Sequence, residues 1–399
     1  MPHLPADNGA ALAFPPVSKE HILNCAYDSW FPKYRSSCLK SRIIPLPEDV
    51  VSYLLEDGIV LADDEPSPDA DDDEWHASAN TGTPRAAQDD SSDDEDEVAE
   101  APGLPPNQRF PETHNLIKEK IAELGGAVAP KLNWSSPKDA KWISPHQNTL
   151  KCTSPNDIYV LLKSSSFVSH DLVHAFDGCT SSSTSRPFTP ALVLRPFFAP
   201  HAALEFRCFV KDRSLIGISS RDQNYYNFLE GLKPQLWKKI RTFFRDTLRL
   251  SFPDPNYAFD VYVPENSFAE DGLGKVRLID INPWAPRTDS LLFIWEELLD
   301  MEVAKPLIGA FSQEDPEFSS DDTGADTEDD DEAVYRPDDG PEFRTVEKDD
   351  PAAFNFSSAE FSAHKLPKEV VDASMAGEGG LREFAEQWKQ ITEGRGPGF

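Results

Sequence analysis

Thirty-three of the 70 acidic residues in this 399-residue chain fall in two stretches, and that concentration decides which parts can fold. Between Asp63 and Glu100 there are sixteen Asp and Glu against one Arg; between Glu314 and Asp350 there are seventeen against three Lys and Arg. Like charge at that density, with few large apolar residues, does not offset the entropy lost on ordering. Two disordered acidic segments are therefore expected, at 63–108 and 314–350. Around them we expect a flexible tail at 1–17, a first folded part at 18–62, a core at 109–313 and a partly docked segment at 351–399. The acidic runs read as solvated spacers, with mimicry of RNA against a basic partner surface as the second reading. Ser91 and Ser92, followed by the acids 93–97, resemble sites of acidophilic kinases.

These stretches carry 29 of the 32 net negative charges, so the remainder is close to neutral. No block of Lys and Arg offers the basic face that duplex DNA requires, and no direct nucleic-acid contact is expected. The five cysteines are scattered, without CxxC pairs, which argues against a zinc site or a disulfide framework. No signal-peptide pattern and no apolar run of about 18 residues occurs. The expectation is a cytoplasmic monomer that does not enter a membrane.

Between the acidic stretches, helical and strand-like patterns alternate. Residues 21–35 read as a helix, 41–46 as a strand and 47–55 as a helix entered through Pro47. Tyr27, Trp30, Phe31 and Tyr34 read first as core and second as a partner-binding surface within 18–62. Leu116, Ile117, Ile121 and Leu124 recur at helical spacing between Pro111 and the Gly125-Gly126 stop, and a strand at 127–134 follows. A helix is predicted at 155–164 and strands at 191–197, 205–210, 214–219, 257–263 and 275–281. Lys211-Asp212-Arg213 signals a hairpin. Residues 233–248 place Leu236, Ile240, Phe243, Phe244 and Thr247 on one helical face, and a last helix is expected at 289–299.

Side chains two apart on a strand share a face. In the run 276–283, Asp280 and Asn282 lie opposite Ile279 and Ile281. A carboxylate and an amide oxygen so placed suit Mg²⁺, which takes a few protein oxygens and completes its shell from water and phosphate. Asp260, alone among Phe259, Val261 and Val263, is the third candidate. The competing reading has Asp280 and Asn282 capping the turn before Pro283. Lys131, Arg195 and Arg207 are single charges inside apolar strands and require counter-charges. Internal salt bridges, for instance to Glu205, would absorb one or two of them. A triphosphate with its metal would use all, the bases on phosphate oxygens and the acids on Mg²⁺. GxxxxGK(S/T) and GxGxxG are both absent, so such a cradle would be built from side chains on a sheet, acids and bases converging in one pocket.

The runs 21–25, 45–47, 130–140, 205–210, 279–283 and 289–293 resemble the cell division cycle protein 123 family, over residues 18–313 apart from the acidic segment and again at 364–374. The resemblance implies an α+β, ATP-grasp-like fold, mainly antiparallel sheets with flanking helices. It implies an ATP-binding assembly factor that engages the gamma subunit of translation initiation factor two so that the alpha subunit can join. Carried over, it implies nucleotide contacts by Lys131, Ser136, Lys138, Arg195, Glu205 and Arg207, with Phe197 against the base and Mg²⁺ on Asp260, Asp280 and Asn282. Lys138 stands where relatives have Arg, and Pro196-Phe197-Phe198 where a basic and an aromatic residue are expected; Pro196 offers no amide hydrogen. A carboxylate ligase of the same fold is the alternative function, although no nucleophile with a neighbouring base is apparent. A binding scaffold without nucleotide is the third.

Overall fold

The computed structural model describes residues 14–63, 104–180, 186–303 and 340–348. Expectations for 1–13, for the first acidic run at 64–103 with Ser91 and Ser92, and for 351–399 lie outside the described residues.

In chain order the elements are α1 (Lys19–Asn24), α2 (Tyr27–Tyr34), β1 (Arg42–Pro45), α3 (Glu48–Leu55), α4 (Pro106–Arg109), α5 (Pro111–Glu123), β2 (Val128–Lys131), α6 (Pro155–Lys163), α7 (Ser166–Val173), β3 (Ala191–Pro196), β4 (Glu205–Lys211), β5 (Ser214–Ser220), α8 (Asn227–Phe243), β6 (Tyr257–Tyr262), β7 (Arg277–Pro283), α9 (Trp295–Asp300) and β8 (Glu342–Arg344). They form two compact units, one of Met1–Ser41, His174–Phe188 and Phe198–Phe399, the other of Arg42–Val173 and Thr189–Phe197. The architecture is α+β with mainly antiparallel sheets, as expected.

The smaller unit holds a three-stranded antiparallel sheet of order β1-β3-β2. Ile44, Val128, Leu192 and Leu194 join Ile117, Ile121, Ile158 and Leu162 in one buried cluster, so α5 and α6 pack over a single sheet face. Each such side chain contributes about 1.5–3 kcal/mol on burial. Pro111 opens α5 at a position where no amide partner is lost, and Gly125 and Gly126, at φ +98° and +83°, end it. A capping box between Ser154 and Asp157 starts α6.

The larger unit holds a five-stranded sheet of order β7-β6-β4-β5-β8. Asp212 and Arg213, at φ +50° and +58°, close the β4–β5 hairpin in two residues, the conformation that matches strand twist. Helix α8 covers one face with Leu236, Ile240 and Phe243; Phe244 stacks on Phe259 of β6 at 6.0 Å between ring centroids. On the other face Phe209, Ala258, Trp284, Phe293 and Leu298 form a second cluster. Gly217 permits it, because a Cβ there would meet the Phe293 ring at 2.9 Å.

Four expectations need correction. The helix at 21–35 is broken at Cys25 and Ala26 into α1 and α2, and its aromatic residues Tyr27, Trp30, Phe31 and Tyr34 are all buried, which makes them core rather than a partner surface. The strand at 127–134 stops at Lys131, because the Leu132 amide turns to the Ser135 carbonyl at 2.8 Å. Residues 289–294 are not helical: the Asp289 carboxylate accepts from the Leu291 amide at 2.9 Å, and Leu291 has φ +57°. Within the acidic stretch 314–350, residues 342–344 form β8, paired parallel with β5. Phe343 is buried there against Phe206. Three residues that alternate acidic, aromatic and basic suffice for that, whatever the charge of their neighbours.

Candidate functional site

Register sets residues of neighbouring strands opposite one another, so one row can be followed across the five-stranded sheet. Arg344 of β8 faces Ser219 of β5, Ser219 faces Arg207 of β4, Arg207 faces Asp260 of β6 and Asp260 faces Asp280 of β7. Glu205 and Asn282 lie two residues along from Arg207 and Asp280 and share their face.

The centre of the row is a buried ion pair. Arg207 Nε donates to Asp260 Oδ1 at 2.7 Å and Nη2 donates to Oδ2 at 2.9 Å, while Nη1 donates to the Asp289 carbonyl at 2.8 Å. Asn282 Nδ2 donates to Asp260 Oδ2 at 3.2 Å. Arg221 stands 3.2 Å from that oxygen and 3.8 Å from Glu205. Burial works against the Arg207 charge, yet Asp260, with Asp289 and Asp280 behind it, raises its pKa. The internal salt bridge weighed from the sequence is thus real for Arg207. Asp260 neutralises that cation and at the same time holds negative charge beside Asp280. Arg221, one residue past the end of β5, was missed.

Two carboxylates and an amide oxygen on one face fit a hard cation that draws its other ligands from phosphate or water. Among the described residues no three His, Cys, Asp or Glu side chains group as a self-sufficient metal cage.

The smaller unit carries the other expected residues. Lys131, fully buried, and Arg195 share a face of the three-stranded sheet, since Ala129 lies two residues from Lys131 and directly opposite Arg195. Pro130, Leu192 and Leu194 turn the other way, toward the helical core. Past Lys131 runs the segment 132–139, a loop bearing Ser136 that leads into the 3₁₀ turn Lys138–Ile143. It is tied at three places. Asn133 accepts from the Ala191 amide at 2.8 Å and donates to the Thr189 carbonyl at 3.2 Å. Asp171 of α7 accepts from the amides of Trp134 and Ser135, at 3.2 and 2.7 Å, and from the Ser135 hydroxyl at 2.8 Å. Asp139 in turn accepts from the Ser165 hydroxyl at 2.6 Å and the Ser166 amide at 2.8 Å, at the start of α7. Burial pushes the Asp171 carboxyl up to about 6, against the hydrogen bonds from Ser135 and Trp134 and the charge of Lys131. Phe197, half-buried, donates its amide to the Ala127 carbonyl at 2.9 Å.

The ten expected site residues therefore divide evenly. Glu205, Arg207, Asp260, Asp280 and Asn282 stand together on one face in the larger unit; Lys131, Ser136, Lys138, Arg195 and Phe197 belong to the smaller one. Asp139 and Asp171 were missed. The helix α7 that gives them meaning was not legible, and Asp171 reaches its partners from 36 residues away.

A family model described as D123 matches residues 30–374. The "Translation initiation factor eIF2 assembly protein" of Botryotinia fuckeliana is 50% identical over 389 residues, covering 96% of this chain and 90% of that protein. "Cell division cycle protein 123" of Aspergillus terreus is 43% identical over 407 residues, 95% of this chain and 91% of that protein. The solved "Structure of Cdc123 from Schizosaccharomyces pombe" superposes with a TM-score of 0.54 at 38% identity, covering 72% of this chain and 94% of that one. Among the described residues no helix is long and apolar enough to cross a membrane.

Proposed function

The chain belongs to the D123 family, and on that premise we propose that it is a cytoplasmic, Mg-ATP-binding assembly factor for translation initiation factor two that engages the gamma subunit. The factor itself is supported by relatives named as eIF2 assembly proteins, which match this chain almost end to end. The nucleotide rests on one observation, the polar row across the five-stranded sheet, where Asp280 and Asn282 share a face with an Arg207–Asp260 pair.

In this reading Asp260, Asp280 and the Asn282 amide oxygen hold magnesium, and Asp260 also keeps Arg207 in place. Arg207 binds phosphate oxygens and Glu205 completes the polar contacts on this face. Bound magnesium would neutralise phosphate charge. The buried Arg207 then acts as a fork held in place by Asp260.

Calorimetry with ATP in millimolar Mg²⁺ tests this directly. Wild type should bind, and Asp280→Ala should weaken binding at least ~10-fold with little change in melting temperature, since the residue is only half-buried. Wild-type affinity in the variant would remove Asp280 from the site. Absence of any binding by the wild type would remove the nucleotide while leaving the partner to be tested by co-purification with the isolated gamma subunit.

A further inference from the structure

The larger unit has a second polar feature, where α8 lies beside the edge strand β7. The 3₁₀ turn Arg35–Ser37, helix α8 and the start of β7 enclose an open groove whose charged lining is Lys238, Lys239, Lys275 and Arg277 against the single acid Asp271. Lys239 lies 3.0 Å from Asp271, and Arg277 donates to the Ser36 carbonyl at 3.3 Å. In a chain of net charge −32 this is a local excess of positive charge, and neither the nucleotide nor the sheet row uses it.

We propose that the groove is a docking site for the chain's own acidic stretch, residues 314–339. Three observations favour this occupant. The first is charge: the stretch carries thirteen Asp and Glu and one Arg. The second is where it is attached. Val303 and Gly340, which bracket it, both belong to the unit that contains the groove, whereas the run 64–100 is bracketed by residues of the other unit.

The third is its point of return. Gly340, at φ +143°, lies so close to Trp237 that a Cβ would meet the ring at 2.5 Å, and Trp237 Nε1 donates to the Pro341 carbonyl at 2.9 Å. Trp237 is followed directly by Lys238 and Lys239 of the groove. Asp339 is thus one peptide, about 3.8 Å, from a residue anchored on the same helix. The residues 304–339 can span roughly 120 Å when extended, far more than this requires. A tether of this kind raises the effective concentration to the order of millimolar, so a modest, salt-sensitive attraction suffices. The consequence is competition: the acidic stretch shields the groove from other polyanions.

Carbodiimide coupling of carboxylates to lysines in the full chain, read by mass spectrometry, tests the proposal. At low salt, links should join Lys238, Lys239 or Lys275 to acids of 314–339, independent of protein concentration, and fall several-fold at about 0.5 M salt. Lys238→Glu combined with Lys275→Glu should abolish them. Absence of links, links only to 63–100, or links that grow with protein concentration and so come from a second copy would overturn it. A second measurement uses heparin as the probe. Replacing Asp by Asn and Glu by Gln throughout 314–339 leaves the described fold untouched, and should tighten heparin binding at least ~10-fold. Equal affinity of the two chains would overturn the proposal as well.

Discussion

In the five-stranded sheet the buried cation Arg207 meets its counter-charge one strand away, on the residue directly opposite it. In the three-stranded sheet the buried Lys131 has a carboxylate in its surroundings of a different origin: Asp171 arrives on a helix and accepts its hydrogen bonds from a loop. The first arrangement is made by strand register alone, and it ties charge to the sheet's own stability. The second needs a third element, and it ties charge to the position of the segment carrying Ser136 and Lys138. A charged residue in an apolar strand can therefore be part of the frame or part of what the frame holds, and the pairing partner tells which.

The largest effect that bears on this contrast is expected from Asp260→Ala. It leaves the buried Arg207 without its bidentate partner, which should cost about 3–5 kcal/mol in urea unfolding. A loss under ~1 kcal/mol would show that the row is not held by this pair and erase the distinction.

Asp171→Asn sharpens the other side through pH. The folded carboxyl is raised to about 6 from an ordinary 3.8, so the folded chain takes up the proton more readily than the unfolded one. The favourable contribution is fully present below about pH 4 and is lost as pH rises through about 6. The stability difference between wild type and Asp171→Asn should accordingly shrink by roughly 3 kcal/mol between pH 4 and 7. A difference independent of pH would mean that the Asp171 carboxyl is not shifted by burial.

The smallest effect is expected at the open end of the row. Arg344 pairs with Glu297 at 2.8 Å and lies over the Phe293 ring at 4.1 Å, but it remains partly exposed. Arg344→Met should change stability by no more than about 1 kcal/mol, measured by the same unfolding curves. A cost equal to that of Asp260→Ala would make the row uniform and its buried centre unexceptional.

Much of the larger unit's site was legible because period two is local. Asp280 and Asn282 announce a shared face within four residues of sequence, and the Lys211-Asp212-Arg213 turn forces β4 and β5 to be neighbours. The smaller unit was less legible. Lys131 and Arg195 stood out as charges among apolar neighbours, but the contacts that position the loop between them come from α7, whose short helix carries no clear apolar stripe. The end of the acidic stretch was misjudged for a related reason: composition averages over a window, and β8 needs only Phe343 in a pocket and three residues in register.

The sequence by itself determined where charge concentrates along the chain, the period of most strands and helices, and which charged residues stand alone among apolar neighbours. These follow from charge density and side-chain alternation, which act over a few residues. The tertiary structure alone decided that Arg207 finds Asp260 rather than Glu205, that Asp171 holds the loop after Lys131, and that the acidic stretch returns to the fold at Trp237. Those contacts join positions 36 to 104 residues apart. Their energies depend on burial and on which strands become neighbours, and no local pattern encodes either.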